Sequence, residues 1–146
     1  MAADILVYGP VFADLIYSKL NESPEVGKEV FADDFIISAG GLAITAVGLS
    51  RLKLNTKLIA EVGDDFFGKY LINNLQSENI DIDDIEILKN AATNITTAFV
   101  YNNDRGFITK MGAKADEDKI HKKIISNFKN ESINHFHSML EFDEEI

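Results

Sequence analysis

The chain of 146 residues is 46% hydrophobic and 26% charged, a balance that fits one globular domain with a core large enough to need no covalent staple. It has no cysteine, which removes disulfide scaffolds, thiolate zinc centres and cysteine nucleophiles. Fourteen basic against twenty-four acidic residues give a net charge of −10, and so negative a surface repels phosphate backbones and anionic lipid, which argues against nucleic-acid or membrane partners.

No apolar run reaches the roughly 18–20 residues of a membrane-spanning helix. Met1-Ala2-Ala3-Asp4 lacks the basic start of a secretory signal, so a cytoplasmic protein is expected. Ile5-Leu6-Val7-Tyr8 is a short apolar run stopped by Gly9-Pro10, the pattern of a strand buried on both faces. Leu15-Ile16-Tyr17 and Val30 to Ser38 are β-rich segments, separated by a loop with Asn21-Glu22-Ser23-Pro24 and Gly27. Gly40-Gly41 opens a stretch through Leu52 whose only charge is Arg51, which reads as a helix buried on most sides. Lys57 to Val62 is the next strand, ended by Gly63. Asp64 or Asp65 then N-caps a helix in which Phe67, Leu71 and Leu75 recur four residues apart, ending near Asn79.

Beyond an acidic connector, Ile85-Glu86-Ile87-Leu88 reads as a strand. Thr96 to Tyr101 and Phe107 to Met111 flank Asn102-Asn103-Asp104-Arg105-Gly106, a hairpin signal. Asp116-Glu117-Asp118 sets acids at the positive end of a helix whose Ile120, Ile124, Ile125 and Phe128 share one face. His135-Phe136-His137 is a last strand before an acidic tail, Glu141 to Glu145. The order β-ββ-α-β-α-β-ββ-α-β predicts an α/β sheet carrying a small β flap in a single domain. No helix follows the last strand to cover the sheet, which leads us to expect that the chain is part of something longer.

Five residues are candidates for a ligand site. Asp14 lies beyond the first strand, where open α/β sheets bind ligands; its carboxylate can accept hydrogen bonds from two neighbouring hydroxyls, or it can serve a turn. Gly40 and Gly41 let a ligand approach bare backbone at a helix start, or make an ordinary tight turn. Thr45, one turn further on, can offer its hydroxyl to that ligand or bond back to its own helix. Phe12 can stack on the flat or apolar face of a ligand, or fill the core. Asp64 and Asp65 are explained better by helix capping than by metal or acid–base chemistry. His135 and His137 would face one side of a strand, but no third metal ligand is evident, and His121 belongs on a solvated helix face. No metal site and no catalytic residue is assigned.

In order along nearly the whole chain, these segments resemble the N-terminal half of the ribokinase-like (PfkB) family of sugar and nucleoside kinases. Ile5 to Gly9 followed by Ala13-Asp14 resembles the first strand and its substrate-binding Asp, and Gly40-Gly41 with the Ala-rich helix resembles the di-glycine substrate motif. Arg51-Leu52, then Val62-Gly63-Asp64-Asp65-Phe66-Phe67-Gly68, resembles the most specific stretch. Thr96 to Val100 and Gly112-Ala113-Lys114-Ala115 resemble the second β excursion and the segment after it. The chain departs from the family pattern at Phe12 and Thr45, where Asn is usual, and at Lys53, where Gly is.

The resemblance implies a three-layer α/β/α sheet with a small β lid, of which this is the N-terminal part, with lid segments at about 15–38 and 96–111. It implies a sugar as acceptor, or alternatively a nucleoside, held by Asp14, Gly40, Gly41, Thr45 and Phe12. ATP as phosphate donor, Mg²⁺ and a homodimer through the lid are implied too. The Gly-Ala-Gly-Asp segment that carries the family's catalytic Asp does not occur in these 146 residues, nor does the later Asn-x-x-Glu motif. Alone, the chain is expected to be an acceptor-side half without phosphoryl-transfer machinery; a non-catalytic ligand-binding or dimerisation module is the alternative. No G-x-G-x-x-G or G-x-x-x-x-G-K-[ST] string supports another class of nucleotide-binding protein.

Overall fold

The structure, a computed structural model, describes residues 3–112, 114, 116–130 and 132–139. Ala113, Ala115 and the acidic tail 141–145 lie outside the described residues. The elements run β1 (Ile5–Tyr8), β2 (Val11–Leu20), β3 (Ala32–Gly41), α1 (Leu42–Arg51), β4 (Thr56–Gly63), α2 (Phe66–Ser77), β5 (Ile85–Leu88), β6 (Ile95–Tyr101), β7 (Asp104–Lys110), α3 (Glu117–Asn130) and β8 (His135–Ser138). They form two four-stranded sheets, ordered β5-β4-β1-β8 and β3-β2-β6-β7. Every pairing in the first is parallel. In the second, β2 pairs antiparallel with β3 and parallel with β6, and β6–β7 is an antiparallel hairpin.

The alternation of side chains along β1 explains the layering. Ile5 and Val7 point into a cluster with Leu42, Ala43 and Ala46 of α1 and Leu71 and Leu75 of α2. Leu6 and Tyr8 point the other way, into a cluster with Ile59, Ile120 and Ile124. Helices α1 and α2 thus cover one face of the first sheet and α3 the other, a three-layer α/β/α arrangement. Leu6, Val7, Leu58 and Ile59 are fully inaccessible to solvent, and each such side chain contributes roughly 1.5–3 kcal/mol of burial energy. Below α3 a polar node replaces apolar packing. Lys57, 8% exposed, lies 3.2 Å from Asp84 Oδ2, and Asn127 Nδ2 donates to the same oxygen at 2.8 Å.

Four sequence expectations are corrected. Gly40 does not open a helix: β3 continues through it, and Gly41 is the N-cap of α1. The hairpin turn is only Asn102-Asn103, both with positive φ (48° and 60°), as a two-residue hairpin turn requires; β7 begins at Asp104 and ends at Lys110, before Met111. Gly106 therefore lies within a strand, under the Phe99 ring. Of the apolar residues of α3, Ile120 and Ile124 are buried, but Ile125 and Phe128 are 43% and 48% exposed. At about 100° per residue, position 125 leaves the core stripe and position 128 drifts to its rim, where Phe128 meets Phe136 edge-on, with ring centroids 5.6 Å apart.

Candidate functional site

The path from β1 to β2 sets up the site. Pro10 separates two strands that belong to different sheets, so β2 leaves the carboxyl end of β1 and starts the second sheet. Asp14 is the fourth residue of β2, and Gly40 is paired with Phe12 two residues before it. Paired residues of neighbouring strands share a face, so Asp14 and Gly40 are diagonal neighbours on one side of the sheet. The contact is close: a Cβ on residue 40 would fall on the Asp14 carboxyl group. Glycine at 40 is the residue that leaves the carboxyl its place.

Gly41 does a different job. Its backbone, φ 62° and ψ −139°, lies in a region that residues with a Cβ avoid. A Cβ there would also strike the Pro10 carbonyl oxygen and stand 2.8 Å from Phe12 Cδ2. This sharp turn swings the chain from β3 into α1, whose Leu42 amide donates to the Pro10 carbonyl at 3.0 Å. No side chain caps α1 and no acid lies in its first turn, so the amides that follow Leu42 keep the positive potential of a helix start. Thr45 is half-buried on this helix, and its hydroxyl has no partner among the described residues. The structure thus brings Asp14, Gly40, Gly41 and Phe12 into one cluster, with Thr45 one turn along α1.

The Asp14 carboxyl is half-buried and accepts no hydrogen bond among the described residues. Burial raises its pKa above the usual carboxylate value, with no cationic neighbour to offset it. Such a group is an acceptor without donors, which is what a carboxylate that binds hydroxyl protons needs to be before the ligand arrives.

The paired aspartates are structural. Asp65 N-caps α2 by accepting from the Gly68 amide at 2.9 Å. It also accepts from the Thr93 hydroxyl at 2.6 Å and the Thr93 amide at 3.0 Å. Burial pushes its carboxyl up, but these bonds together with one from the Phe67 amide outweigh it and hold the pKa below the usual value. Asp64 accepts from the Asn90 amide at 3.0 Å. Gly68 is small because the Gly63 carbonyl occupies the space of its side chain. The whole Val62–Gly68 stretch is a clasp on residues 90–93.

Sequence reasoning left residues 91–94 unassigned, yet they tie the two sheets together. Thr93, 1% exposed, also accepts from the Gly63 amide at 3.0 Å. Asn94 donates to the Val11 carbonyl at 3.0 Å and accepts from the Gly112 amide at 2.7 Å, while its own carbonyl takes the Ala13 amide at 2.9 Å. Both neighbours of Phe12 are fixed by this one residue. The only local signal was a short polar pair between two apolar segments, which any loop could show.

His135 is exposed and His137 half-buried on β8, and His121 is exposed on α3. Among the described residues no three His, Asp or Glu side chains are placed to hold a metal ion, and no helix among them is long and apolar enough to cross a membrane.

A parallel sheet covered by helices on both faces, with a second sheet rising from its carboxyl edge beside an uncapped helix, is the ribokinase-like α/β fold. Arabidopsis thaliana ribokinase, solved with ribose and ATP, has this fold: TM-score 0.71 at 22% identity, over 87% of this chain and 43% of that one. The chain belongs to the pfkB family of carbohydrate kinases, whose model matches residues 2–143. It is 30% identical to Mus musculus ribokinase over 108 residues, 73% of this chain and 33% of the relative. It is 32% identical to Salmonella typhi deoxyribokinase over 106 residues, 72% of this chain and 34% of the relative. The chain spans about a third of the length of these curated relatives. The described residues include no cluster of three His, Asp or Glu side chains that could hold a metal ion, and the sequence has no G-x-x-x-x-G-K-[ST] phosphate loop.

Proposed function

We propose that this chain is the acceptor-binding part of an ATP-dependent, Mg²⁺-requiring sugar kinase that phosphorylates a sugar hydroxyl in the cytoplasm. Asp14, Gly40, Gly41, Thr45 and Phe12 form its acceptor site within a single ribokinase-like unit, and the second sheet is the lid over that site. The observation that carries the reading is the Asp14 carboxyl group, half-buried, without a donor among the described residues, and seated against the bare backbone of Gly40. A carboxylate held this way accepts hydrogen bonds from two adjacent hydroxyls and discriminates against analogues that lack one. The relatives named ribokinase and deoxyribokinase support a pentose as the first acceptor to try.

The test is calorimetric titration of the protein with D-ribose, 2-deoxy-D-ribose and adenosine. Sugar binding that disappears in Asp14→Ala is expected; binding that survives it removes Asp14 from the site. A coupled kinase assay on this 146-residue chain should show no turnover, because the segments that handle phosphate in the family are not in its sequence.

The lid also carries apolar surface. Phe35 and Ile108, on the face opposite Asp14, are 49% and 69% exposed, and a homodimer through that face would cover them. Sedimentation giving a monomer at micromolar concentration would count against the dimer.

A further inference from the structure

The register of the second sheet extends the contact that Asp14 makes, and any ligand role for the neighbours of Asp14 rests on the acceptor-site reading. Directly paired residues of neighbouring strands lie on one face, with strands about 4.8 Å apart. Asp14 is paired with Ser38 of β3 on one side and Thr96 of β6 on the other, and Thr96 is paired with Thr109 of β7. One row across all four strands therefore reads Ser38, Asp14, Thr96, Thr109, on the face that carries the Asp14 carboxyl. The next row outward on that face reads Ile36, Ile16, Ala98, Phe107, without a polar side chain. Two strand pairs far apart in sequence, β2–β3 and β6–β7, thus align every hydroxyl and carboxyl of this part of the face in one line, bounded by an apolar one.

The Thr96 and Thr109 hydroxyls are bonded to each other at 3.1 Å. Whichever donates, the other keeps its proton free, so the pair offers a donor as well as lone pairs. Ionised Asp14 offers lone pairs only. The Ser38 hydroxyl makes a 3.4 Å contact with the Ala39 carbonyl of its own strand. One strand spacing from the carboxyl, the threonine pair can serve an acceptor hydroxyl that Asp14 does not hold, including one that must accept a proton.

We propose that Thr96, oriented by Thr109, is a specificity-determining residue of the acceptor site and reads a further hydroxyl of a ring that carries adjacent hydroxyls. A merely structural role, a cross-strand threonine pair that stabilises the sheet, would leave ligand preference untouched.

The experiment is titration calorimetry of the protein with D-ribose and its singly deoxygenated analogues, on wild type, Thr96→Val, Thr96→Ser and Asp14→Asn. Thr96→Val keeps the shape and removes the hydroxyl. It should weaken binding of the full sugar roughly three- to tenfold, the worth of one neutral hydrogen bond. For the one analogue lacking the hydroxyl that Thr96 reads, it should change nothing. Thr96→Ser should restore the wild-type pattern. If Thr96→Val binds the whole panel as wild type does, or weakens every member equally, the Thr96 assignment is overturned while loss of binding in Asp14→Asn keeps the acceptor site standing. If Asp14→Asn binds like wild type, or no sugar of the panel binds at all, the acceptor-site reading fails and the Thr96 assignment with it.

Discussion

Replacing Asp14 by Asn should move stability and binding in opposite directions, and both signs come from the same geometry. Burial raises the Asp14 pKa in the folded protein, and no described residue donates to the carboxyl. An acid with a raised folded pKa contributes stability that is full below its unfolded pKa and is lost as pH rises through the folded one. At neutral pH the ionised group is therefore a net cost to folding. Asn removes that cost without changing shape, so Asp14→Asn should melt higher than wild type at neutral pH, with the difference vanishing near about pH 3, below the ordinary carboxylate range. Binding goes the other way. Two hydroxyl-to-carboxylate bonds are worth roughly 1.5–3 kcal/mol each, and the amide retains one neutral acceptor oxygen. The net loss is then about 2–4 kcal/mol, or roughly 30- to 1,000-fold in Kd. Thermal scans at the two pH values, with calorimetric titration against D-ribose, read both effects. A variant that melts lower at neutral pH would show that Asp14 serves a turn or cap, and would refute its standing as an unsatisfied carboxylate.

Gly40→Ala should weaken sugar binding as strongly as Asp14→Asn while changing the melting temperature little, because the new methyl displaces a movable side chain rather than backbone; titration and a thermal scan of the same sample separate the two. Gly41→Ala should cost roughly 1–3 kcal/mol of stability in urea unfolding, since its backbone conformation excludes a Cβ. Asp65→Ala loses a helix cap and strands the buried Thr93 hydroxyl, for about 2–3 kcal/mol together. Its depressed pKa gives stability that is present above the unfolded value and lost as pH falls through the folded one, so Asp65→Asn should flatten the acid limb of the melting-temperature profile. Asp84→Ala removes both the 3.2 Å partner of buried Lys57 and the acceptor of the Asn127 amide, and chemical denaturation should show roughly 2–4 kcal/mol of destabilisation.

The element order was legible because each element carries its own periodicity. Four apolar residues bounded by Gly9-Pro10 can only be a short buried strand, and Leu71 and Leu75 lie one turn apart on the buried side of α2. Boundaries were less so where tertiary pairing overrides local preference. Gly40 looks like a breaker in sequence, yet it sits in β3 because a glycine costs a strand little when the neighbouring strand supplies the ladder and a carboxyl fills its missing side chain. Ile125 looked like core because it is apolar, and only the position of the sheet relative to α3 decides that it is not. The split into two sheets was foreshadowed by the β flap, but nothing local says that β2 pairs in parallel with β6, some eighty residues on.

The candidate site divides along the same line. Val62 to Gly68 is the most recognisable stretch of the chain, and it proves to be scaffold: Asp65 and the two glycines hold residues 91–93 through bonds that allow few substitutions. The candidate acceptor residues are ordinary one by one, since an Asp, a Gly pair and a Thr occur together in any surface loop. Their meaning comes from register. Phe12 opposite Gly40 brings the Asp14 carboxyl against bare backbone, and Asp14 opposite Thr96 sets a hydroxyl pair beside it. Both alignments depend on Asn94, which pins the backbone on either side of Phe12 and thereby fixes where β2 starts. A slip of one residue in β2 would turn Asp14 to the opposite face of the sheet. The segment that Val62–Gly68 clasps runs straight into Asn94, so the clasp and the placing of the Asp14 carboxyl are linked through four consecutive residues: Asn94 sets the register, and the register places the carboxyl.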